Sequence, residues 1–188
     1  MGYEYQASES IATGIRRIAA EKCTEIIDDL QRSDDFDEGI HEARKSFKQL
    51  RAALRFVRPA LKKKTYKREN VTFRDASRLI APMREKWVHI ELLDQLLEQI
   101  ADPRLTDATQ LTRERLLAEH QATRQRVIEQ SDLLAEVIDI VDEAQDRSAD
   151  WQIEPDHIEE AAAGMTKIYA QGQTRMAQAL DFSGLPDV

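Results

Sequence analysis

A single cysteine, Cys23, stands in 188 residues, so neither an internal disulfide nor a cysteine-rich zinc site can form. Six glycines and five prolines are roughly half the usual share and leave little turn chemistry for a many-stranded sheet. Aromatic residues make up 6%, too few to favour a surface that stacks single-stranded bases. No apolar run approaches the ~18 residues of a membrane span. The opening MGYEYQASES lacks the basic and apolar stretches of a secretion signal. A glycine-rich nucleotide loop and a nucleophile elbow are missing too, and no pair of carboxylates stands out as an acid–base couple. What is present is a chain 41% hydrophobic and 33% charged, long enough for one domain with a real core. The simplest location for it is the cytoplasm.

The apolar residues recur at helical spacing nearly everywhere. Ser8 or Ser10 can cap a first helix with Ile11, Ile15, Ile18, Cys23, Ile26 and Leu30 on one side. A second runs from about Asp37 to Arg58, closed by Pro59. A third spans about 66–100, with a kink or short break expected at Pro82. A fourth covers 107–145 with Leu116, His120, Thr123, Val127, Leu134, Ile138 and Val141 on one side. A last helix opens at Glu154 and Pro155 and carries Ile158, Ala162, Met165, Ile168, Met176 and Leu180, followed by a loop over 181–188. The spacing predicts an all-α class, a bundle of about five long helices. Leu and Met positions in the later helices read as packing, as does Trp87 on the stripe Phe73, Ala76, Ile80, Met83, Trp87, Ile90.

The second helix has two registers. Ile40, Ala43, Phe47, Leu50, Leu54 and Val57 form an apolar stripe; one residue further on stand His41, Arg44, Lys48, Arg51, Arg55 and Arg58, with Lys45 on the flank. A basic stripe therefore runs beside the core seam for nearly five turns. Residues 44–68 hold eleven Lys or Arg and no Asp or Glu; residues 44–86 carry +12 and the remainder −20, which together make the net −8. Solvated helix faces usually mix charges of both signs, because like charges at i,i+4 cost a few tenths of a kcal/mol each. Such a stripe becomes favourable beside anions, either the protein's own acidic helices or a bound polyanion. Arg forks and Lys ammonium groups suit phosphate oxygens, and a nearby imidazole gains a proton when a phosphate binds.

The segment from Ile40 to Pro59, IHEARKSFKQLRAALRFVRP, closely resembles the first histidine helix of CHAD (conserved histidine α-helical) domains through His41, Arg44, Lys45, Lys48, Arg51 and Arg55. YKRENVTFRDASRLIAPMRE, from Tyr66 to Glu85, is similar to a second family block through Arg68, Glu69, Asn70, Arg74, Asp75, Arg78, Pro82 and Arg84. A third resemblance, over 163–179, rests on Tyr169, Gly172 and Arg175, with Gln171 and Gln173 where basic residues are common. The resemblance implies an all-α fold like the first helical bundle of a CHAD domain, one domain over 1–188, ending where the family's second histidine helix would begin. It also implies non-enzymatic binding of inorganic polyphosphate along a basic groove, with association with polyphosphate granules as in some members. His41, Arg44, Lys45, Lys48, Arg51 and Arg55 are the expected contacts, with Arg74, Arg78 and Arg84 on the facing helix. No catalytic residue, metal or cofactor is expected.

Several alternatives stand beside this reading. The basic stripe could dock on an acidic partner, or a second copy could pair through the surface that the second bundle would otherwise cover. Duplex nucleic acid is disfavoured by the −20 around the patch. His89 with Glu85, Glu91 and Asp94 resembles a fragment of a metal site, though a single imidazole among surface carboxylates rarely is one. His120 reads as a core-boundary residue and His157 as part of a helix first turn.

Overall fold

The computed structural model describes Glu4, Gln6 and residues 8–32, 35–130, 132–154 and 158–182. Pro155, His157 and residues 183–188 lie outside these, so the sequence expectations for them are not addressed by it. Among the described residues there are seven helices and no strand, apart from one isolated bridge between Leu61 and Ile153. The helices are α1 (Ile11–Gln31), α2 (Phe36–Phe56), α3 (Lys63–Leu79), α4 (Ala81–Leu97), α5 (Pro103–Gln130), α6 (Leu133–Ala149) and α7 (Ile158–Phe182).

The all-α class is as expected; the count of five is not, because two long helices are each divided. The span 66–100 breaks at Ile80, which closes α3 and opens α4. Pro82, in the first turn of α4, has no N–H to donate to the carbonyl four residues back. The span 107–145 breaks between Gln130 and Leu133. There Val141 is buried as expected, while Leu134 and Ile138 are only partly buried and Val137, Ala144 and Ser148 complete the buried face. Asp132 ahead of an apolar run, with Glu136 in the first turn, is a helix-start signal that the longer period conceals. Ser10, not Ser8, caps α1, accepting a hydrogen bond from the Thr13 amide at 3.2 Å. Asp35 does the same for α2 with the Glu38 amide.

Helices α1, α2, α3 and α6 close a ring: α1 packs on α2 and α6, and α3 packs on the same two. All six apolar-stripe residues of α2, Ile40 to Val57, are buried in its centre. Each removes apolar surface worth about 1.5–3 kcal/mol for the larger side chains. Phe73 joins them, its ring 6.4 Å from that of Phe47. At one end of the ring the loops after α2 and α6 are tied together, Glu154 donating its amide to the Ala60 carbonyl at 2.8 Å. Gly39 lets α2 approach the end of α1, since a Cβ there would fall 2.3 Å from the Asp29 carbonyl oxygen.

The other helices stand outside the ring. α4 and α5 pack mainly on each other, with α4 leaning on α2, while α7 rests on α2. This placement corrects the reading of the later Leu and Met residues as packing. Leu92, Leu96, Leu105, Leu111, Met165 and Met176 are exposed, whereas Met83 is buried. His120 is more than a boundary residue: it is buried between Trp87, whose ring lies 5.4 Å away, and Asp37, whose carboxylate comes within 2.9 Å but out of line for a hydrogen bond.

Candidate functional site

Burying the apolar stripe of α2 forces the adjoining register outward, so the core itself aims the basic residues. His41, Arg44, Lys45 and Lys48 form one wall of a cleft of about 320 Å³; Arg84 and His89 of α4 form the opposite wall, with Glu85. Further along α2, Arg51 comes near Arg74 and Arg78 of α3. The expected facing helix is thus two elements, with Arg74 and Arg78 on α3 and Arg84 beyond the break on α4. The structure brings together His41, Arg44, Lys45, Lys48 and Arg84 in the cleft, and sets Arg51 near Arg55, Arg74 and Arg78.

Hydrogen bonds fix several of these groups without neutralising them. Arg44 donates from Nη1 to the Ser77 carbonyl at the end of α3 (3.0 Å), and Arg51 from Nε to Asn70 Oδ1 (3.1 Å). Arg55 donates from Nε to the Arg51 carbonyl (3.1 Å). Among the described residues, Arg44, Lys48, Arg51 and Arg55 have no carboxylate partner. The Arg51 guanidinium is accordingly pushed below its ordinary range, first by burial and then by Arg55 and Arg74. An arginine stays charged regardless, so the consequence is stored repulsion that an anion relieves.

Four carboxylates intrude on the face, Glu85 in the lining of the cleft and three others in ion pairs. Glu42 pairs with Lys45 at 2.8 Å, raising the ammonium above its usual range and lowering its own carboxyl. Asp75 is shared by Arg74 (2.7 Å) and Arg78 (3.6 Å), its carboxyl lowered chiefly by the Arg74 hydrogen bond. Glu91 pairs with Arg84 at 3.3 Å. Elsewhere, pairing of cation with carboxylate is common: Arg17 with Glu9 and Glu21, Lys86 with Glu119, and Arg147 with Glu69 and Glu143. Among the described residues, acidic side chains therefore do not pair with the middle of the stripe. Glu91 and Asp94, considered above beside His89 for a metal, are engaged with Arg84 and Arg113.

The sequence model of the CHAD domain family matches residues 19–185. The chain belongs to the CHAD family. No curated protein and no solved structure matches it. The CHAD match takes in α2, α3 and α4 whole, so all nine expected residues lie within it.

Two features of this CHAD chain escape sequence reasoning. His89 lines the cleft opposite the α2 stripe; its position four residues after Glu85, one turn further along the same side of α4, was the available signal. In the third block, Gly172 has open space around it and Tyr169 is 70% exposed, so neither contributes to a cleft. Gly164 is the residue under constraint: a Cβ would lie 2.5 Å from the Phe56 carbonyl oxygen. That contact seats α7 on the end of α2 and brings Lys167 and Gln171 opposite Arg55 and Arg58.

Proposed function

We propose that the chain is a binding module, not an enzyme, that holds inorganic polyphosphate along the outward face of α2. His41, Arg44, Lys45, Lys48, Arg51 and Arg55 donate charge-assisted hydrogen bonds to phosphate oxygens, with Arg74, Arg78 and Arg84 completing the walls. The observation that carries the reading is the run of Arg44, Lys48, Arg51 and Arg55 on α2, which among the described residues no carboxylate neutralises, with Arg51 lowered by burial and then by Arg55 and Arg74. Family membership supports the same ligand. In this reading the four-helix ring corresponds to the first bundle of a CHAD domain, residues 1–188 form one domain, and the protein works in the cytoplasm, in some settings on polyphosphate granules. Among the described residues no helix is long and apolar enough to cross a membrane.

Reversing three charges at once (Arg44→Glu, Lys48→Glu, Arg51→Glu) tests it, with long-chain polyphosphate titrated at several salt concentrations. Losing charge-assisted bonds at about 1.5 kcal/mol or more each predicts a fall in affinity of at least ~100-fold, and weaker wild-type binding as salt rises. Equal binding by variant and wild type would overturn the reading. Competing duplex DNA at equal charge concentration is expected to displace little polyphosphate.

One observation favours an adaptor role instead. α7 leaves Met165, Ile168, Tyr169 and Met176 exposed at helical spacing, and 165–179 carries Lys167 and Arg175 with no acidic residue. A second copy could cover that stripe. Size-exclusion chromatography with and without polyphosphate separates the two: a dimer that ignores polyphosphate supports the adaptor.

A further inference from the structure

Two hollows flank the C-terminal end of α2, outside the nine residues above except for Arg55. One, of about 280 Å³, lies between α2 and α7 and is lined by Arg55, Arg58, Lys167 and Gln171 over Pro59 and Ile168. The other, of about 490 Å³, lies on the far side of Arg58 and is lined by Lys63 and Lys67 with Tyr66. Arg58 is the wall between them, its guanidinium held 5.0 Å over the Tyr66 ring. Among the described residues no Asp or Glu lines either hollow. Among the described residues none of these five cations is paired with a carboxylate. A helix C-terminus favours basic residues, but its partial charge of roughly half an electron cannot account for five. Lys167 is there because Gly164 allows α7 to touch the Phe56 backbone.

We propose that this end is a second phosphate subsite, and that the protein thereby selects linear phosphate chains by length. The inference rests on the polyphosphate reading of the face. His41 and Arg58 are seventeen residues apart on one helix, about 25 Å, which is roughly nine phosphoanhydride units of about 3 Å each. Arg51, Arg74 and Arg78 lie between the two ends. A triphosphate fills one end only. A chain of ten or more units reaches both, and the second engagement is intramolecular, with a gain on the order of 10²–10⁴ in affinity. Arg58 and Lys167 are then length-determining residues.

The test compares the intact chain with an Arg58→Glu, Lys167→Glu variant, and with Arg104→Glu, Arg115→Glu on α5 as a control of equal charge change. Each is titrated with sodium tripolyphosphate and with polyphosphate of about twenty units, at one salt concentration and equal total phosphate. Wild type and control are expected to bind the long chain at least ~100-fold more tightly than tripolyphosphate. The Arg58, Lys167 variant is expected to lose at least ~10-fold for the long chain and no more than about twofold for tripolyphosphate, with its circular dichroism spectrum unchanged. An Arg58→Ala, Lys167→Ala variant should move the same way by a smaller factor. Long-chain affinity in the Glu variant matching the control would overturn the subsite while leaving the face intact. Failure of wild type to bind either ligand would overturn the underlying reading as well.

Discussion

Glu69 and Asp75 sit on the same helix and both meet arginines, yet burial gives them opposite consequences. Glu69 is 0% exposed and accepts from Arg68 and, through both oxygens, from Arg147 of α6. It braces α3 to α6 across the ring. Its arginine partners keep access to water, so Glu69→Ala is expected to cost about 2–3 kcal/mol in denaturant unfolding, below the range for a wholly buried pair. Asp75 is exposed between Arg74 and Arg78; Asp75→Asn should leave the unfolding midpoint unchanged and strengthen polyphosphate binding severalfold, since it removes a competing anion from the face. Cys23 illustrates burial at its most direct. Enclosure in the core, then the nearby Glu69 carboxylate, pushes the thiol up from 9.0 to about 12. The folded state then holds its proton longer than the unfolded chain. Stability from this group is intact below pH 9 and declines between there and pH 12. Alkylation of Cys23 at pH 8 should therefore proceed only at the rate of unfolding, and rapid modification of native protein would contradict its placement.

Among the elements, α2 was fully legible, because both of its stripes follow from the period of one helix and need no knowledge of neighbours. Its six apolar residues are all in the core and its basic residues outside it. The helix divisions at Ile80 and before Leu133 were only partly legible. Pro82 marked the first, whereas the second lacks proline and glycine and depends on how α6 must turn to bury Val137 and Val141. The exposed faces of α4, α5 and α7 were misread because a helical apolar period states that a face can be buried, not what buries it. Gly164 was passed over in favour of Gly172 for the same reason: the close approach to Phe56 is a tertiary fact. Gly164→Val is expected to lift α7 from α2 while sparing the ring. Tryptic cleavage after Lys167 and Arg175 should accelerate roughly tenfold with the denaturation midpoint nearly unchanged. A large loss of global stability would instead make α7 part of the ring's core.

For the whole molecule, the net charge of −8 taken alone argues against a polyanion partner. Its distribution reverses that inference. The ring and its outlying hairpin spend many acidic residues on local cations, while among the described residues Arg44, Lys48, Arg51 and Arg55 on the face of α2 have no carboxylate partner. A negative exterior around an uncompensated strip discourages diffuse adhesion and leaves attraction along one line. The charge segregation was legible in the sequence; which cations lack partners was not, because ion pairing is decided between helices. Arginine Nε–Hε resonances, followed by NMR as long-chain polyphosphate is added, test the central claim most directly. The account predicts saturating shifts at Arg44, Arg51, Arg55 and Arg74, with Arg17, Arg113 and Arg147 unmoved. Equal shifts at all of these arginines, or shifts confined to the second group, would contradict it.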